Sequence, residues 1–199
     1  MRKLILASAS KRRYEILKNA GYNFEIIIPD VDENVFDNLS PPDLVQALAK
    51  LKSHAVLTAT PENAVILSFD TVVVFRGEIY GKPKDKAHAF SMLSRLSGET
   101  HFVCTGVCIH ERQSDTENVF YERVPVKLAF MEADEINAYI ESGQPMDKAG
   151  GYGIGGPGGM FVERIEGDFY TVAGLPLSRV YKELRRIEVL PAMMDVDFI

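Results

Sequence analysis

The sequence predicts an α/β fold: a mixed, elongated sheet flanked by helices, in two lobes around a central cleft. Strand-like and helix-like segments alternate early and strands cluster later, which argues for a mixed sheet rather than a purely parallel one. The 199 residues are 46% hydrophobic and 25% charged, which suits one domain, or two closely joined lobes, with a substantial core. The stretches richest in chemistry lie far apart along the chain, and a cleft would gather them. Residues 1–187 read as a single two-lobed domain and 188–199 as a C-terminal tail without a clear pattern.

Leu4 to Ala7 is a short strand, followed by the small-residue loop Ser8-Ala9-Ser10 and a helix from Lys11 to about Ala20, with Gly21 as its stop. A strand, a tight turn and a helix start present free backbone N–H groups and a positive dipole end. Lys11, Arg12 and Arg13 oppose that dipole, which makes sense if an anion sits among them. Ser8, Arg12 and Arg13 are therefore phosphate-binding candidates; the plainer reading is a solvated basic first turn capped by Ser10. Tyr22 to Ile28 alternates like a half-buried strand and ends at Pro29. Asp30, Asp32 and Glu33 follow in a loop, where they either face solvent or neutralise a cation such as Mg²⁺ or Mn²⁺. Ser40-Pro41-Pro42-Asp43 starts a helix that runs to about Leu57 and carries Lys50 and Lys52.

The central stretch is 64–83. Ala64 to Leu67 reads as a strand buried on both faces, with Asp70 and Thr71 at its end. A carboxylate there must be paired, metal-bound or solvated in a cleft. Val72 to Phe75 continues to a tight turn at Arg76-Gly77. A two-residue turn pairs Thr71 with Lys82 and leaves Asp70 and Lys82 on opposite faces unless the strand bulges. An acid, a hydroxyl and an amine gathered there suit a ligand, and a structural Asp70–Lys82 ion pair reads equally well.

A helix from Asp85 stops at Ser97-Gly98, and a strand spans His101 to His110, with Gly106 marking a bulge or a close backbone approach. Residues 111–118 read as a loop, Val119 to Met131 as a strand interrupted at Pro125, and Glu135 to Ser142 as a helix. Residues 150–159 hold seven glycines, without the Gly-Lys-Ser/Thr ending of a phosphate-binding P-loop. The flanking Tyr152 and Ile154 favour a loop whose backbone approaches a ligand over a floppy linker. Met160–Ile165 and Phe169–Val172 read as a hairpin, and Ser178 to about Ile187 as the last helix.

The formal charge of −6 argues against general binding to nucleic acids. No apolar run reaches membrane-spanning length, and residues 1–7 are strand-like rather than a signal peptide, so a cytoplasmic protein is expected. Cys104 and Cys108 lie in an apolar run and read as buried free thiols.

Six blocks in order carry a resemblance. They are Leu6-Ala7-Ser8-Ala9-Ser10-x-Arg12-Arg13, Asp70-Thr71-Val72-Val73, Gly81-Lys82-Pro83, Leu96-Ser97-Gly98-x-x-His101, Asp147-Lys148-Ala149-Gly150-x-Tyr152-Gly153-Ile154 and Gly174-Leu175-Pro176. Together they resemble the Maf nucleotide pyrophosphatases across nearly the whole chain. The resemblance implies a fold related to inosine triphosphate pyrophosphatases, a divalent cation (Mg²⁺ or Mn²⁺) and a homodimer. It also implies hydrolysis of a nucleoside triphosphate to the monophosphate and pyrophosphate. On it, Asp70, Lys82 and Glu33 are catalytic, Asp70 and Glu33 also bind the metal, and Ser8, Arg12, Arg13, Lys52, Thr71 and Gly155 meet the substrate. Arg12, Thr71 and Tyr152-Gly153-Ile154 resemble the branch acting on dTTP and UTP. That branch has Gln after Tyr-Gly-Ile, where this chain has Gly155, so relaxed base selection is expected. The alternatives are a 7-methyl-GTP or broad-specificity pyrophosphatase, or a catalytically silent nucleotide-binding regulator of cell division.

Overall fold

The apolar run that begins at Ala64 does not stop at Asp70. In a computed structural model, which describes residues 2–33, 35–36 and 38–194, it continues as one twelve-residue strand, β3 (Ala64–Phe75), in which Asp70 is central rather than terminal. Its first half is buried at every position, as expected of a strand covered on both faces. β1 (Lys3–Ala7) pairs with β3 in parallel, from Lys3↔Ala64 to Ala7↔Ser68. β4 (Glu78–Tyr80) pairs with it antiparallel from Phe75↔Glu78 to Val73↔Tyr80. Residues 69–72 therefore fall between the two ladders. The turn joining β3 and β4 has Arg76 at φ 50° and Gly77 at φ 83°, the left-handed pair that a two-residue hairpin turn requires.

The remaining strands are β2 (Glu25–Ile26), β5 (Thr100–Glu111), β6 (Thr116–Leu128) and β7 (Val162–Ile165). Among the described residues, seven strands form one mixed sheet in the order β2-β1-β3-β5-β6-β7, with β4 attached to β3. The helices are α1 (Lys11–Asn19), α2 (Pro41–Ala55), α3 (Lys86–Leu96), α4 (Ala133–Glu141), α5 (Phe169–Val172) and α6 (Leu177–Arg186). Ser10, Ser40 and Asp85 cap α1, α2 and α3, each accepting from a backbone N–H three residues on. No helix of the described residues is long and apolar enough to cross a membrane.

The chain divides into two compact units: Met1–Asp70, Thr105–Tyr121 and Gly174–Ile199 in the first, Thr71–Cys104 and Glu122–Ala173 in the second. The long strands β3, β5 and β6 each pass from one unit into the other. Ile5, Ala7, Val56, Ala64 and Ile66 cluster in the first unit. Val73, Leu93, Leu96, Val126, Tyr139 and Tyr152 belong to a larger core in the second. Gly106 is where β5 meets α2: a Cβ there would lie 2.2 Å from the Val45 carbonyl oxygen, so the expected close approach is made by a helix backbone. Both cysteines are buried and stand outside any disulfide.

Four local expectations need correction. The Tyr22–Ile28 strand shrinks to Glu25–Ile26, because β2 pairs with β1 over two positions only and leaves Ile28 exposed. The 111–118 loop contracts to a turn over 112–115, with Asp115 at φ 51°. Pro125 does not interrupt β6; the strand runs through it and the Pro125 carbonyl accepts from Glu166 N. Phe169–Val172 is a helix and not the second arm of a hairpin, since the Asp168 carboxylate accepts from the N–H groups of Tyr170 and Thr171 and caps it.

Candidate active site

Three elements of the first unit converge on one ammonium group. α2 buries Val45, Leu48, Ala49 and Lys52, one stripe at helical spacing, so Lys52 points the same way as the apolar residues. Its Nζ donates to Asp70 Oδ1 at 2.5 Å and lies 2.8 Å from Glu33 Oε1, which comes from the loop after β2. Ser68 Oγ donates to the Ala49 carbonyl at 2.7 Å and fixes β3 against α2 two residues before the acid. Asp70 is 6% exposed and Lys52 8%, so each charge is desolvated and depends on the other, whereas Glu33 is largely exposed. Within the first unit, the ion pair that Asp70 makes is with Lys52.

The loop between β1 and α1 is fastened by its own side chains. Ser8 Oγ, buried, accepts from Ser10 N at 3.2 Å and from Arg13 Nη1 at 3.4 Å. Arg13 Nε donates to the Gly174 carbonyl at 2.8 Å, Nη1 also to the Phe69 carbonyl at 3.3 Å, and the guanidinium lies over the Phe69 ring. Burial lowers the Arg13 pKa, against the pull of the Asp70 and Glu33 charges. Arg13 is therefore an internal anchor of this corner rather than one of a solvated basic turn. Arg12, its neighbour in the first turn of α1, is half-buried.

The other expected residues belong to the second unit. Thr71 follows Asp70 on β3 and is half-buried. Lys82 is exposed beyond β4 and lines a cavity of about 320 Å³ with Tyr80, Lys84, His88 and Arg95. Burial tends to raise the Asp147 pKa, but a hydrogen bond from Lys148, the Lys148 charge and more weakly the Lys82 charge leave it below the ordinary value. Gly155 is exposed. Its neighbour Tyr152 is a core anchor, sharing a 2.7 Å hydrogen bond with His101 Nε2, while Tyr139 Oη backs the Gly153 N–H. Several glycines here are required by the protein itself. A Cβ on Gly150 would lie 2.8 Å from Val73 Cγ2, and one on Gly158 2.4 Å from Tyr139 Oη. Close approach to a ligand is not needed to account for them.

The Maf-like protein family matches residues 3–187. The chain belongs to that family. It is 46% identical over 189 residues to the dTTP/UTP pyrophosphatase of Bacillus anthracis, and equally to that of a Bacillus cereus strain, covering 95% of this chain and 97% of each relative. The dTTP/UTP pyrophosphatase of Bacillus cytotoxicus is 44% identical over 188 residues, or 94% of this chain and 97% of its own. Among solved structures, the Ham1 protein of Staphylococcus aureus aligns over 64% of this chain and 72% of its own at TM-score 0.47 and 18% identity, too distant to bear on function.

In this Maf-like chain the donors at Glu33 and Asp70 fit the divalent cation that the family implies. Two carboxylate oxygens already converge on one cation, the Lys52 ammonium, and hard oxygen donors are what Mg²⁺ and Mn²⁺ take. Lys52 is the residue whose part the sequence understated. The signal was present: Val45, Leu48, Ala49 and Lys52 share one helical stripe, and a lysine on an apolar stripe needs a buried carboxylate partner.

Proposed function

We propose that this chain hydrolyses dTTP and UTP to the nucleoside monophosphate and pyrophosphate, with Asp70 as the proton acceptor. The reading is carried by one observation: a buried Asp70 carboxylate held by Lys52, which also pairs with Glu33, in a chain 46% identical over 95% of its length to dTTP/UTP pyrophosphatases. Asp70 takes the proton of a water that attacks the α-phosphorus; the α–β bridging P–O bond breaks and pyrophosphate leaves with its electron pair. Lys52 holds both carboxylates in place. Glu33 and Asp70 would hold the divalent cation, Mg²⁺ or Mn²⁺, which would neutralise charge on the phosphate oxygens when bound. Arg12 and Lys82 are assigned to the phosphates, with Arg13 and Ser8 fixing the loop that carries Arg12. Thr71 and Gly155 are assigned to the nucleoside. The protein is read as a cytoplasmic homodimer, a state that sedimentation of the purified chain checks.

The test is pyrophosphate release from a panel of nucleoside triphosphates, including 7-methyl-GTP. Release from dTTP and UTP that needs Mg²⁺ or Mn²⁺ and stops on chelation is the expected result. Release chiefly from 7-methyl-GTP places the chain in the other branch, and nucleotide binding with no release identifies a silent regulator; either outcome overturns the proposal.

A further inference from the structure

Outside the Asp70 region the first unit holds a second cluster, built from the end of α2, from β5 and from the start of β6. His110, on β5, is 1% exposed. Its Nε2 lies 3.1 Å from Asp115 Oδ1. A carboxylate only accepts, so Nε2 carries a proton toward Asp115, and Nδ1 turns the other way. That nitrogen is buried without a hydrogen-bond partner. It faces another acceptor, Glu117 Oε1, at 3.6 Å. His54 Nε2 contacts the same carboxylate oxygen from the last turn of α2. A buried ring nitrogen left without a partner opposite a carboxylate oxygen is unfavourable, and a metal cation between the two would satisfy both.

We propose that His54, His110 and Glu117 form a transition-metal site, of the kind that takes Zn²⁺, separate from the Glu33–Asp70 carboxylates. The ligand atoms lie within 4.8 Å of one another, and the His54 side chain is 45% exposed, free to rotate the short distance that bonds of about 2.1 Å require. Asp115 supplies the outer partner that a metal-bound histidine usually has, a carboxylate on the far nitrogen that fixes the tautomer. Two imidazoles and one carboxylate suit Zn²⁺, with the fourth position left to water, whereas the oxygen-only pair at Glu33 and Asp70 suits Mg²⁺. Lys50 occupies the other oxygen of Glu117, Oε2, at 2.6 Å, which leaves Oε1 turned to the histidines. Once loaded, the site ties α2 to β5 and β6.

The experiment titrates the full, tag-free chain with Zn²⁺ by calorimetry, and with Co²⁺ by visible absorption, in excess Mg²⁺ to fill the oxygen site. One equivalent of Zn²⁺ is expected, with an intense tetrahedral Co²⁺ spectrum. His54→Ala and Glu117→Gln each weaken binding at least about tenfold and Asp115→Asn by about 10–100-fold. His54 is exposed enough for its variant to fold, which circular dichroism checks, and its Mg²⁺-supported pyrophosphate release stays at the wild-type rate. No stoichiometric Zn²⁺ binding, or wild-type affinity in His54→Ala, overturns the proposal. Both readouts are independent of whether the chain hydrolyses nucleotides.

Discussion

At the scale of single residues, two buried groups make quantitative demands. Asp70→Asn keeps the shape of the side chain and removes the base, while Glu33 still compensates Lys52, so the fold should survive. Turnover should fall by ~10²–10⁴-fold, measured as kcat for pyrophosphate release; a wild-type rate would remove Asp70 from the chemistry. His101 is fully buried against Tyr152, and burial lowers its pKa from 6.5 to about 4. Above pH 6.5 the ring is neutral in both folded and unfolded chains. As the pH falls from 6.5 towards 4, the unfolded chain gains a proton that the folded one refuses, so stability is lost through that window, by about 3 kcal/mol in all. Urea unfolding of wild type and His101→Gln at several pH values should show the variant lacking that loss; parallel curves would mean that His101 titrates normally.

At the scale of elements, glycines decide how closely segments approach. Gly106→Ala pushes a methyl group into the α2 backbone at Val45, with no flexible side chain to give way. Such overpacking typically costs ~1–3 kcal/mol. Gly81→Ala meets nothing within 4 Å and should be near neutral in the same unfolding series. A large loss at Gly81 with none at Gly106 would contradict the packing described. In the glycine-rich loop, Tyr152 and Gly153 are tied to the core by His101 and Tyr139, while Gly155 is exposed just after them. Position 155 is thus an exposed place in the loop at which a side chain can be tested. If Gly155 relaxes base selection, Gly155→Gln should sharpen preference for dTTP or UTP about tenfold or more, read as kcat/KM across thymidine, uridine, cytidine and guanosine triphosphates. A wild type that already discriminates strongly, unchanged by the substitution, would place base recognition elsewhere.

For the molecule as a whole, the net charge of −6 repels a triphosphate at long range, so binding depends on local cations. Arg12→Ala and Lys82→Ala should lower kcat/KM for every nucleoside triphosphate by a similar factor, about tenfold or more, because phosphates are common to all of them. A loss confined to one base would move the substituted residue to the base pocket. The stability of Lys52→Met should fall as well, by roughly 3–5 kcal/mol, since it leaves the buried Asp70 charge without its partner. A Lys52→Met variant as stable as wild type would mean that water already solvates Asp70.

The features that the sequence determined by itself are those written in neighbouring residues. The caps at Ser10, Ser40 and Asp85, the left-handed turn at Arg76-Gly77 and the mixed order of strands and helices all follow from local torsions, donors and hydrophobic spacing. The six motif blocks were legible for the same reason, and they led to the family. The tertiary structure alone decided partners. Asp70 could be read as an acid in need of a cation, but that Lys52 supplies one depended on which face of α2 packs on β3. Arg13 read as a phosphate ligand, yet its guanidinium reaches the Gly174 carbonyl, 161 residues away. The glycines at 150 and 158 read as room for a ligand, and the side chains of Val73 and Tyr139 fill that room. Periodicity tells a side chain to turn inward, and burial then demands a partner, but only the packing of distant elements determines which partner arrives.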